Sequence, residues 1–103
     1  MTHKPTKTTE MINYQTDGIV STTILKQDSG SVTLFAFDAG QSLSEHTAPF
    51  DALLQVLDGR ADITLGGEPV TVSAGEMLVM PANVPHALAA PVPFKMLLTM
   101  LKS

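Results

Sequence analysis

Short apolar runs alternate with turn residues along most of this chain. Ile19–Lys26 ends at Asp28-Ser29-Gly30, and Val32–Phe37 ends at Asp38-Ala39-Gly40. Ala52–Leu57 stops at Asp58-Gly59, Ala61–Leu65 at Gly66-Gly67, and Val70–Val72 at Ala74-Gly75. Met77–Met80 runs into Pro81, and Phe94–Leu101 follows Pro91 and Pro93. Asp-Gly and Gly-Gly between apolar runs mark hairpins, because those residues tolerate the positive φ of tight turns. Each run is too short for an ordinary helix, and several alternate. Ala61, Ile63 and Leu65 fall on one face, with Asp62 and Thr64 on the other. Six or more such strands at roughly 8–12-residue spacing predict an all-β sandwich or barrel of antiparallel strands. Phe94–Leu101 is apolar on both faces and fits a helix or a strand; the flanking prolines and the β pattern around it favour a strand.

Two segments depart from simple alternation. Residues 1 to about 17 read as a polar arm of weak order with a short strand near Ile12, ahead of a single domain over 18–103. Val32–Phe37 is apolar on both faces: Val32, Leu34 and Ala36 oppose Phe35 and Phe37. Such a strand predicts a subunit interface, hence a homodimer, against the alternative of fuller cover within one chain.

Composition narrows the chemistry. The 103 residues carry a formal charge of −4, with 44% hydrophobic residues, three histidines and no cysteine. That apolar content is globular and the length is that of one domain. Disulfides, thiolate metal sites and cysteine nucleophiles are excluded. Six Lys/Arg are scattered among ten Asp/Glu, and Tyr14 and four phenylalanines are the only aromatics. No basic patch or stacking platform for a nucleic acid results. The opening Met1–Thr9 lacks the apolar stretch of a signal peptide, and Met96–Leu101 is too short to span a bilayer. A cytoplasmic protein with no membrane partner is the expectation.

The remaining chemistry clusters in two stretches, Gly40 to Gly59 and Gly75 to His86. Together they resemble the two motifs of the cupin superfamily, small β-barrels of the jelly-roll or double-stranded β-helix type. The first family motif is Gly, five residues, His-x-His, three or four residues, Glu, six residues, Gly. The second is Gly, five residues, Pro-x-Gly, two residues, His, three residues, Asn. Gly40, His46 and Gly59 fit the first; Gly75, Pro81 and His86 fit the second. The short separation resembles that of small single-domain bacterial cupins of the conserved-barrel type. Pro81 and Pro85 fix φ in the loop before His86, which should aim that imidazole at little entropic cost.

The resemblance implies a metal held by both histidines of His-x-His, the Glu and the second-motif His. This chain keeps His46 and His86. Ala48 stands at the second His position and Ala52 at the Glu position, seven before Gly59. Asn83 replaces the motif Gly, and Ala90 the closing Asn. Two imidazoles fall short of the usual three protein ligands of catalytic zinc or non-haem iron. Asp51, Gln55 and Glu45 are the candidate substitutes. Against each stands an alternative: Asp51 caps a loop, Gln55 faces solvent or a dimer partner, and Glu45 is a solvated charge in a loop. Asp51 and Gln55 share the parity opposite to Ala52, so a bulge would be needed to re-aim them. His3 lies in the arm, outside this constellation.

Inward-facing Ala48 and Ala52 would widen an apolar pocket rimmed by His46 and His86, with Phe50, Met80 and Met96 as neighbours or as gap-filling core. Apolar walls with a few convergent polar groups are the usual small-molecule site. Three functions follow. The first is a barrel binding a small molecule through a degenerate His46/His86 site. The second is an enzyme of dioxygenase, isomerase or lyase type, holding one divalent Fe, Mn, Ni, Cu or Zn ion with a substitute ligand. The third is a non-catalytic dimer.

Overall fold

A computed structural model of the chain describes residues 3–102. The first two residues of the expected arm, and Ser103 at the end of the expected domain, lie outside the described residues. Nine strands follow a single 3-10 turn at Thr8–Glu10: β1 Ile19–Gln27, β2 Gly30–Phe37, β3 Ser42–His46, β4 Asp51–Asp58 and β5 Arg60–Leu65, then β6 Glu68–Ser73, β7 Met77–Met80, β8 His86–Ala89 and β9 Phe94–Leu101. They form a five-stranded sheet in the order β1-β2-β9-β4-β7 and a four-stranded sheet in the order β3-β8-β5-β6. Every pairing is antiparallel. The last strand lies between β2 and β4, and β8 lies between β3 and β5, so the two sheets wind as a jelly roll. The described residues are thus an all-β barrel of jelly-roll type. No helix among the described residues is long and apolar enough to cross a membrane.

Alternation sets the core. In β4, Ala52, Leu54 and Val56 are buried while Asp51 and Asp58 are exposed; in β5, Ala61 and Ile63 are buried and Asp62 is exposed. These inward rows meet Phe37, Phe94, Met96, Val72 and Leu88 between the sheets. Phe37 and Phe94 stack at a centroid distance of 4.5 Å. Phe94–Leu101 is a strand, paired along its length with both β2 and β4. Its two apolar faces follow from that central position.

The N-terminal segment corrects one expectation and bears on another. No strand forms near Ile12. No sheet edge pairs with residues 8–17, so this stretch makes a 3-10 turn and packs by side chains. Ile12 is buried against Leu34 and Ala36 in a second apolar cluster that also draws in Tyr14, Val20, Leu57 and Leu97. The Lys95 ammonium donates to Thr9 O at 2.6 Å and sits 4.9 Å from the Tyr14 ring centroid. The Tyr14 hydroxyl donates to the Asp58 carboxylate. The same segment bears on the doubly apolar β2. Phe35 and Phe37 face the main core, whereas Leu34 and Ala36 lie under the chain's own Ile12. Cover within one chain accounts for them.

Strands β3 and β8 were not legible as apolar runs. Ser42–His46 has only Leu43 as an apolar residue, and His86–Ala89 is short and alanine-rich. Glu45, expected in a loop, lies on β3.

Candidate functional site

The two motif histidines face each other at one end of the barrel. His46 closes β3, His86 opens β8, and the two are direct partners in the ladder. A register irregularity between Leu43 and His46 gives β3 one extra residue, which turns His46 toward His86. The rings meet edge to face, with centroids 4.3 Å apart and planes at 65°. His86 is buried, 8% exposed, while His46 is exposed. One imidazole thus backs the site and the other opens to solvent.

Each ring is fixed by the backbone two residues upstream of it. His46 Nδ1 lies 2.8 Å from Ser44 O, and His86 Nδ1 lies 3.1 Å from Val84 O. A carbonyl only accepts, so each Nδ1 carries the proton and donates. In the neutral ring Nε2 is then a lone-pair acceptor. The same local contact, to the carbonyl two residues earlier, sets both tautomers.

The loops around the pair are stitched together. Ala82 N–H donates to Asp51 Oδ1 at 2.9 Å, and Asn83 N–H donates to Ala48 O at 2.8 Å. Asn83 has φ +65°, a left-handed conformation that asparagine adopts far more readily than most residues. A residue that accepts a left-handed backbone thus stands where the resembled motif has glycine. Gly40 N–H donates to Ala90 O at 2.8 Å, and Ala90 N–H donates to Gln41 O at 2.9 Å. Both contacts of Ala90 are made by its backbone, and its side chain brings no amide.

The remaining candidates separate. Asp51 is exposed and engaged with the Pro81 loop, the capping role. Gln55 pairs with Met77 and Leu97, on the outer face of the five-stranded sheet and away from the histidines. Glu45 is exposed within the irregular stretch of β3. Ala52 is buried on the inner face between Met80 and Met100, and Ala48 is half-buried in the loop. Met80 and Met96 are core residues, 3% and 1% exposed. His3 is exposed in the N-terminal segment. Among the described residues no three His, Asp or Glu side chains converge as a metal cluster. Two imidazoles without a carboxylate fall one donor short of the usual catalytic zinc or iron set. The residues present do not fit a resident catalytic metal.

Sequence reasoning missed one feature. A cavity of about 210 Å³, lined by Lys26, Gln27, Ser31, Phe50, Met100 and Lys102 and by neither histidine, opens where the ends of β1, β2 and β9 meet Phe50. Only Phe50 belongs to the motif region. The other five sit on three separate strand ends, where no spacing rule joins them.

A family model described as the cupin domain matches residues 33–100 of this chain. An uncharacterized protein of Streptomyces coelicolor is 39% identical over 62 residues, which are 60% of this chain and 59% of that protein. A conserved protein of unknown function from Streptococcus pyogenes superposes with a TM-score of 0.94 at 36% identity, over 100% of this chain and 91% of that one. A cupin 2 conserved barrel domain protein from Leptotrichia buccalis is 42% identical with a TM-score of 0.88, over 91% of this chain and 46% of that one. The matched region thus spans about three fifths of the Streptomyces relative and under half of the Leptotrichia protein.

Proposed function

This chain belongs to the cupin family, and from that premise we propose that it binds a small molecule at the His46/His86 end of its barrel. The observation that carries the reading is the matched pair of Nδ1 contacts. Both imidazoles are held in the Nδ1–H tautomer and present Nε2 as an acceptor. Two acceptors on facing rings suit a ligand with hydroxyl or amine donors. Ala48 and Ala52 add methyl groups and no competing donor on the loop and the inner sheet face, in keeping with the mostly apolar lining of small-molecule sites.

The wider activities of cupins do not transfer with the fold, because function resides in the site. A Lewis-acid enzyme would need a third donor from somewhere other than Ala48 and Ala52. The binding reading needs none.

Long-range proton–nitrogen spectra of the imidazoles provide the test. A library of small hydroxylated and aminated compounds is expected to yield ligands that shift the Nε2 signals of both rings. Those shifts should vanish in the His46→Ala, His86→Ala double variant. Absence of any ligand that shifts either ring would overturn the reading. So would stoichiometric uptake of Fe, Mn, Ni, Cu or Zn that disappears in the double variant, which would move the chain to the metal-dependent class.

A further inference from the structure

One row of the inner sheet face is ordered from charge to hydrocarbon. Strand register places Lys26 beside Ser31, Ser31 beside Met100, Met100 beside Ala52, and Ala52 beside Met80. Residues paired across a ladder point to the same face. The row therefore runs ammonium, hydroxyl, thioether, methyl, thioether. At about 4.8 Å per strand, Lys26 and Ala52 stand roughly 14 Å apart at their backbones, a distance a lysine side chain partly closes.

The charged end of this row is the cavity of about 210 Å³. Lys102 supplies a second ammonium there, 5.5 Å from the Phe50 ring centroid. Gln27 and Ser31 add an amide and a hydroxyl, and Met100 and Phe50 form the apolar lining. No Asp or Glu lines the cavity. In a chain of net charge −4, two of the six cationic side chains converge on one concavity. Apolar walls focus such a field on an incoming anion.

We propose that this cavity binds the carboxylate of a small amphipathic acid, with the acid's apolar body lying along Met100 and Phe50 toward Ala52. The assignment rests on reading the barrel as a small-molecule site, and gives that ligand its chemical class. A single negative charge fits two point-charge ammonium groups. The rigid fork of arginine, which favours phosphate, is missing, since the chain's arginine, Arg60, opens β5 on the other sheet.

The test titrates the full chain with benzoate, with benzamide as a neutral isostere, and with inorganic phosphate. Binding is read by calorimetry and by the Met100 methyl resonance. Benzoate is expected to bind about tenfold more tightly than benzamide, since a charge-assisted hydrogen bond is roughly twice as strong as a neutral one. Lys26→Met and Lys102→Met should each weaken benzoate several-fold and leave benzamide unchanged. Both side chains are exposed, so the fold should tolerate the changes. Equal binding of benzoate and benzamide, or indifference to both lysine variants, overturns the carboxylate assignment. If neutral ligands still shift the imidazoles in that case, the paired-histidine reading survives alone. Phosphate displacing benzoate at equal or lower concentration also overturns the assignment, in favour of an inorganic anion. Lysine-dependent benzoate binding that persists in His46→Ala, His86→Ala upholds the carboxylate site and removes the histidines from it.

Discussion

Tyr14 ties the chemistry of one side chain to the stability of the molecule. Burial, then the hydrogen bond to Asp58 and the charge of that carboxylate, push its phenol well above the ordinary value of 10.0. The folded state therefore holds the Tyr14 proton more tightly than the unfolded chain does. That contribution is fully present below about pH 10 and is lost as pH rises toward the folded value. Tyr14→Phe should lower stability by about 1 kcal/mol near neutrality, the usual net worth of one hydrogen bond. Urea midpoints collected up to pH 11 should also fall less steeply for the variant than for the parent chain. At this scale the site was partly legible. His46 and His86 were visible as motif positions, and Asp51 was already weighed as a loop cap. Lys26, Ser31 and Lys102 were not visible, because a lone charge near a strand end carries no periodic signal until register brings strands together.

At the scale of elements, tight turns and close strand crossings decide the architecture. Gly59, between β4 and β5, has φ +72°. A Cβ there would stand 2.0 Å from Pro93 O and 3.0 Å from Phe94 Cα, both backbone atoms with little freedom to retreat. Gly59→Ala is expected to cost at least about 2 kcal/mol, from left-handed strain plus overpacking. A thermal melt indistinguishable from the parent would refute that reading. The hairpin from β4 to β5 was clear in the sequence because Asp58-Gly59 states its turn chemistry outright. Strands β3 and β8 escaped notice because ladder hydrogen bonds, with few apolar side chains, define them. Their pairing is what brings His46 to His86.

At the scale of the whole molecule, the outer face of the five-stranded sheet is only half covered. Ile12 shields Leu34 and Ala36, but a neighbouring row of Leu25, Val32, Thr99, Leu53 and Val79 carries no charge. Leu25 is 66% exposed and Val79 54%. The row crosses all five strands, roughly 19 Å. Absence of charge at the centre of a patch is a mark of interfaces. We therefore expect a homodimer seated on this row, which takes in Val32 of the strand the sequence pointed to. Sedimentation at micromolar concentration should give twice the mass of the 10.9 kDa chain, and Leu25→Glu with Val79→Glu should return it to one. A single-chain mass for the parent would refute the expectation.

We expect the N-terminal segment to open separately from the two sheets. Residues 8–14 contribute one buried side chain, Ile12, and are anchored through Thr9 O and the Tyr14 hydroxyl. No strand pairs with them, so they can lift while both sheets stay intact. Sub-global release of that kind has its own free energy, well below that of global unfolding, and hydrogen exchange resolves the two. Amides protected only by the segment would exchange early, and those of β4 and β9 late. Each release would bare Leu34 and Ala36 and extend the uncovered row across the rest of the sheet. A dimer seated on that row and N-terminal release would then draw on the same surface, so that the population of the released state would change with protein concentration.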